Sequence, residues 1–396
     1  MTFVQFFSER VRMVWRPQHP HNSIVKAFAA AALVMMAGCQ SISDIDTAAL
    51  EAELVKKQAA EIREIGIETV GTGPTSIALI LDSPSNEKQK GFRDGATLAM
   101  KDLCAGALTL LMANDGTRVG ILDAIQNTKP DLIAFTTGIA EGNGTVEKLI
   151  RLDVPLIALG YSGSTKIHSF VPNGLDSMIA GLRYAISGQK NRVVLVVPKN
   201  QAILARARIS RALGSSIRLL KTIPYDPANA STGFSNKNLQ LLKDADIVAF
   251  AGSDSRISKM AAVVQSGRVN SSRVTLVGND NWPSTLIQSV AQPGTIIATR
   301  DNSGLNLIER RYRNAYGKSL SQSAAFAYDI VAVAAGIVRK NGKPGIPKSA
   351  LQSPSGFRGA TGLFRFRDNG RVERLYQIAM IENGELKIID EGQTGF

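Results

Sequence analysis

The side chains able to do chemistry are few in this chain. Ser162 stands in Gly160-Tyr161-Ser162-Gly163-Ser164, the nearest approach to the Gly-x-Ser-x-Gly turn that exposes a hydrolase nucleophile at the end of a strand. Ser164 replaces the second glycine of that turn, and the base would have to be His168, too close downstream to be oriented independently. A serine hydrolase is therefore not expected. Asp82, Asp115 and Asp280 fall at predicted strand ends, where two carboxylates could serve as acid and base on a glycosidic bond and where acids also serve as ordinary caps. Once the basic leader is set aside, His168 is the single histidine and Cys104, apart from Cys39 at the leader's end, the single cysteine, short of the ligand set of a structural zinc site. The turn after the first predicted strand reads SPSNEKQKG, without the glycines that let backbone approach a pyrophosphate, and no GxxxxGK[ST] occurs. No metal and no cofactor is expected, and catalysis is the weaker reading.

Those side chains are carried by an alternation of strands and helices. SIALILD (76–82), LTLLMAND (108–115), DLIAFTT (131–137) and VPLIALG (154–160) read as strands apolar on both faces, which a parallel sheet covered by helices explains. GFRDGATLAMKDL (91–103) is the first intervening helix. The rhythm then repeats with helix 175–187, strand 192–198, helix 201–213, strands 216–225 and 246–252, helix 257–267 and strand 273–280. Strand 294–300 and helices 305–317 and 326–340 follow, and the tail from 362 turns to hairpins that reverse at Asn369-Gly370 and Asn383-Gly384. The fold class predicted is α/β, as two lobes with parallel sheets. The length of 396 residues also suits two core-bearing units.

The N-terminus reads as an address. Arg10, Arg12, Arg16 and Lys26 precede an apolar run, Ala27 to Ala37, too short to span a bilayer as a helix, so residues 1–38 are expected to be a signal peptide. Ala37-Gly38-Cys39 at its end resembles the lipobox of bacterial lipoproteins. That resemblance implies lipidation of Cys39, and Gln40 after it implies the outer membrane rather than inner-membrane retention. Residues 39–74 read as a tether, with a loosely helical pattern over 44–70. The chain carries a net charge of +13, and loss of the leader still leaves it basic, at +10. An exported protein rarely meets nucleic acid, so the anionic partners expected are lipid phosphates, an acidic wall polymer or a protein.

Three segments carry a further resemblance: SIALILDSPS with GFRDGATLAMKDL, then LIERRYRNAYGKSLSQSAAFAYDIVAVAA with Tyr312, Tyr316, Gly317 and Ala327-Tyr328-Asp329, and SGFRGATGLFRFRDNGRVER. Together, over residues 75–390, they are similar to the type I periplasmic binding proteins of the leucine-binding kind. The resemblance implies two Rossmann-like lobes joined by a hinge, the first from 75–172 and 293–365 and the second from 173–292 and 366–396. It also implies a ligand cleft lined by Ser83, Ser85, Thr136, Thr137, Tyr161, Ser162, Ser164, Thr165, Asn279, Asp280 and Trp282, with Asp280 receiving the ammonium of a zwitterion. The loop after the third strand lacks the Gly-Pro of the amino-acid binders, and with the lipobox and tether the chain looks closest to the penicillin-binding-protein activators. The function expected on that resemblance is non-enzymatic regulation of a peptidoglycan synthase from a lipid anchor. Capture of an amino acid or similar solute for an ABC permease is the alternative.

Overall fold

The computed structural model describes residues 53, 66–83, 85–103, 106–115, 120–141, 144–160, 164–186, 190–229, 234–266, 274–290 and 294–396. The expected leader, Cys39, Cys104 and the tether as far as residue 65, except Glu53, lie outside these residues. The chain divides into units Met1–Gln58 and Ala59–Phe396, and every strand below belongs to the second.

The first sheet is built from β1 (Ile67–Val70) and β2 (Thr75–Ile80), helix α1 (Glu87–Leu103), β3 (Leu108–Ala113), α2 (Ile121–Thr128), β4 (Leu132–Phe135), α3 (Thr145–Ile150), β5 (Leu156–Ala158) and β6 (His168–Ser169). Its strand order is β1-β3-β2-β4-β5-β6, parallel throughout except that β1 runs antiparallel to β3. Strand β1 corrects the sequence reading, which gave residues 67–70 to the helical tether. His168 is in the edge strand and buried.

The second sheet follows from α4 (Gly174–Ala185), β7 (Arg192–Pro198), α5 (Ala202–Leu213), β8 (Arg218–Tyr225), α6 (Asn236–Lys243), β9 (Ile247–Phe250), α7 (Arg256–Gln265), β10 (Thr275–Val277), α8 (Ser284–Ser289) and β11 (Ile296–Thr299). The chain then makes α9 (Ser303–Tyr316), α10 (Gln322–Asn341), α11 (Lys348–Leu351), a small sheet β12 (Phe357–Gly359), β13 (Gly362–Phe366) and β14 (Val372–Arg374), and the hairpin β15 (Gln377–Glu382) and β16 (Glu385–Asp390). The second sheet is ordered β16-β15-β11-β10-β9-β7-β8. Two boundaries therefore move. Strand β11, expected with the first lobe from residue 293, pairs with β10 and β15 in the second. Phe366 and Val372, expected with the second lobe from residue 366, pack in the core of the first.

Both sheets are covered on both faces, which is why their strands read as continuous apolar runs. Successive strand residues point to opposite sides. Ile77, Leu79, Leu110 and Met112 pack with Phe92 and Ala99 of α1 and Ile330 and Ala334 of α10. Ala78, Ile80, Leu111 and Phe135 pack on the other face with Ile121 and Ile125 of α2. In the second lobe Val194, Val196 and Val248 meet Met260 and Val264 of α7, while Val193, Leu195 and Val197 meet Met178 of α4 and Ile209 of α5. Helix α10 starts where the Ser321 side chain accepts from the Ala324 amide and stops at Gly342, whose φ is 63°. It lies unusually close to α1 because a Cβ on Gly95 would come within 2.0 Å of the Ala324 carbonyl oxygen.

Candidate functional site

The connections between lobes place the two sets of strand ends opposite one another. The first crossing leaves the carboxyl end of β6 and enters the amino end of α4; the second leaves the carboxyl end of β11 and enters α9. Each sheet thus turns its strand C-termini toward the hinge, the edge where open parallel sheets hold ligands. A third crossing joins β14 to β15.

On the first lobe this edge carries Asp82, Ser83 and Ser85 after β2, Thr136 and Thr137 after β4, and Ser164 and Thr165 after β5. The buried Thr136 hydroxyl accepts from the Asp82 amide at 3.1 Å and donates to the Asp82 carboxylate at 3.0 Å, so it fastens two loops together. The Ser83 amide donates to Gln89 Oε1 at 2.9 Å, and the Ser83 and Ser85 hydroxyls are 3.1 Å apart. Ser83, Ser85 and Thr137 retain exposed surface, and the exposed Thr165 lines a cavity beside β6. Tyr161 and Ser162 lie outside the described residues.

On the second lobe three expected ligand contacts have structural duties. Asn279 is buried, and its amide donates to the carbonyls of Phe250, Ala251 and Gly252 at 3.1, 3.3 and 3.0 Å. The Trp282 indole donates to Gly252 O at 2.9 Å and is also buried. Together they pin the loop after β9 to the loop after β10. The Asp280 carboxylate is 1% exposed and bound by the Arg300 guanidinium at 2.9 Å, so it is not presented to an ammonium group. Burial raises its pKa, against the pull of Arg300.

The polar group that the second lobe does present was not anticipated. Tyr225 ends β8, and its hydroxyl donates to Asp254 Oδ2 at 2.5 Å; the Arg256 side chain donates to Asp254 Oδ1 at 2.8 Å. Asp254 and Arg256 keep 25% and 21% of their side-chain surface, enough to meet a solute. Burial, then the Asp254 carboxylate, pushes the Tyr225 phenol pKa well up, so it remains a donor. The available signal was an aromatic and an acid each at the end of a predicted strand, on neighbouring loops.

The motif residues serve the hinge. Asp329 accepts from the amides of Ala360 and Thr361 at 2.6 and 2.9 Å and from the Thr361 hydroxyl at 2.5 Å. A Cβ on Gly359 would lie 2.5 Å from that carboxyl carbon, so glycine there is a requirement of packing. Arg374, at the third crossing, donates to Thr361 Oγ1 at 3.3 Å and to Phe170 O, at the first crossing, at 2.8 Å. Its guanidinium lies over the rings of Phe170 and Phe364 at 4.8 and 5.0 Å. Burial first, then Arg300, lowers the Arg374 pKa to about 10. Tyr312 and Tyr316 reach Asp94 of α1, and Tyr328 reaches Asp102, which binds α9 and α10 to the first lobe.

Among the described residues no cluster of His, Cys, Asp and Glu could hold a metal ion, and no helix is long and apolar enough to cross a membrane. The part-exposed Asp254 carboxylate and Arg256 guanidinium on one set of strand ends, backed by the buried Tyr225 phenol, and the hydroxyls on the other set suit recognition of a small polar solute. No protein-family model and no curated protein matches the sequence. Solved structures do match. A candidate branched-chain amino acid ABC transporter protein from Rhodospirillum rubrum superposes with a TM-score of 0.65 at 12% identity, over 80% of this chain and 99% of that one. A substrate-binding protein from Desulfitobacterium hafniense, in complex with Leu, gives 0.52 at 15% identity, over 80% and 99%. A solute-binding protein from Rhodopseudomonas palustris, in complex with 3,4-dihydroxybenzoic acid, gives 0.52 at 16%, over 81% and 97%. At these identities the likeness is one of fold: this chain has the two-lobed α/β architecture of the type I periplasmic binding proteins.

Proposed function

We propose that the protein is an extracytoplasmic solute-binding component that holds a small amphoteric or phenolic acid between its lobes and delivers it to an ABC permease. The observation that carries this reading is that Ser83, Ser85 and Thr137 lie at the strand C-termini of one lobe and the Tyr225, Asp254 and Arg256 cluster at the strand C-termini of the other. Hydroxyls and backbone amides of the first lobe suit a carboxylate, and Asp254 suits an ammonium or phenolic hydroxyl on the second. Two neighbours of the same fold were solved with Leu and with a dihydroxybenzoic acid, ligands of these two kinds. A thermal-shift series over amino acids and hydroxybenzoic acids tests it. A true ligand at a hundred times its Kd stabilises by about 2.7 kcal/mol, and the gain disappears in Asp254→Ala. Flat melting across both series rejects the reading.

A second reading, regulation of a peptidoglycan synthase by an outer-membrane lipoprotein anchored at Cys39, is favoured by the exposed basic surface. Arg206, Arg211 and Arg310 have no ion-pair partner among the described residues, whereas Arg208, Arg311 and Arg313 pair with Asp176, Asp102 and Glu309. Crosslinking from intact cells separates the two, since permease and synthase are different captured partners. If synthase is captured, Arg206→Glu with Arg310→Glu should abolish its stimulation.

A further inference from the structure

Beside the edge strand β6 lies a cavity of about 320 Å³ that the reading above does not use. Pro155, Leu156 and Leu351 give it a buried apolar floor. Its rim holds two opposite charges, Lys166 and Asp368, both exposed and both without an ion-pair partner among the described residues. A third lining group is His168, 7% exposed, whose Nδ1 is buried without a hydrogen-bond partner. The volume falls at the lower end of small-molecule sites.

We propose that this cavity is a second binding site, for a small zwitterion whose carboxylate meets Lys166, whose ammonium meets Asp368, and whose carbon chain covers Leu156 and Leu351. The ion pair of Lys348 with Asp153 closes one side of the cavity and so leaves the two rim charges for the ligand. A singly charged molecule would satisfy one rim charge and strand the other, which is the basis of selectivity. Burial lowers the His168 pKa to about 4, so at neutral pH the ring is an uncharged part of the wall and adds no further cation to it.

The test uses the full-length protein with isotope-labelled histidine, in which His168→Gln identifies the His168 ring signals. Glycine and its ω-amino homologues up to aminohexanoate are titrated, with acetate and methylammonium as singly charged controls. At least one zwitterion is expected to shift the His168 signals to saturation, with each control at least about tenfold weaker. Lys166→Ala and Asp368→Asn, both surface changes, are each expected to weaken binding about tenfold or more. Their unliganded His168 signals report whether the fold is intact. Asp254→Ala, in the crevice, should leave this titration unchanged, which separates failure here from failure of the transport reading. No saturable shift with any of the series, a shift that both surface variants retain, or one lost only in Asp254→Ala would overturn the proposal.

Discussion

Replacing Asp329 by alanine removes one carboxylate and leaves three buried donors with nothing to bond: the amides of Ala360 and Thr361 and the Thr361 hydroxyl, at 2.6, 2.9 and 2.5 Å in the native protein. A buried donor deprived of its partner costs about 1–3 kcal/mol. The loss also withdraws a negative charge from the field of the buried Arg374, which interacts with it favourably. Three such donors give about 3 kcal/mol at the lower bound, so the expected cost is the roughly 3–5 kcal/mol found when one member of a buried charged group is removed. For a chain of this size each kcal/mol is worth roughly 1.5 °C in Tm, so Asp329→Ala should melt about 4–8 °C lower. Asp329→Asn keeps an acceptor oxygen and the volume, and should recover part of the loss. Differential scanning calorimetry of the three proteins decides it. An Asp329→Ala variant within 1 kcal/mol of the native protein would refute the assignment of this motif residue to the hinge.

Two other outcomes follow from groups already described. His168 has its pKa lowered from 6.5 to about 4 by burial, so between those pH values the unfolded chain binds a proton that the folded one refuses. Stability from this group is whole above 6.5 and falls on acidification toward 4, by about 3 kcal/mol in all; urea midpoints at both ends should show a smaller acid loss in His168→Gln, and equal losses would disprove it. Asn279→Ala should cost about 1–3 kcal/mol in urea unfolding because it strips the bonds that hold three carbonyls of the loop after β9. Unchanged stability with lost solute binding would return Asn279 to the role of a ligand contact.

Much of the architecture was legible because parallel strands buried on both faces must be continuously apolar; strand β7 matches its predicted span over residues 192–198. Strand β1 was missed because Ile67-Glu68-Thr69-Val70 is short and charged, and becomes a strand through pairing with Leu110–Ala113. The lobe-one residues Ser83, Ser85, Thr136 and Thr137 do follow strands β2 and β4, as the apolar runs before them led one to expect. That Asn279, Asp280 and Trp282 have buried, internally bonded side chains could not be read from the sequence, because position at a strand end does not say which way a side chain points. Asp280 Oδ2 is bound by Arg300 while its Oδ1 is buried without a partner, and a clue to the pair existed, since each follows the carboxyl end of one of two neighbouring parallel strands, β10 and β11. Tyr225 and Asp254 escaped notice because they lie 29 residues apart and meet only across adjacent loops.

The chain visits each half of the molecule twice, and this bears on its synthesis. The first half lacks Ile330, Val331 and Ala334 until α10 has been made, so a nascent polypeptide ending near residue 300 would leave one face of β2, β3 and β4 covered by α1 alone. The second half lacks its last two strands until residue 390. Neither half can finish maturing on the ribosome ahead of the other, and a truncation at any of the crossings leaves sticky intermediates in place of an autonomous fragment.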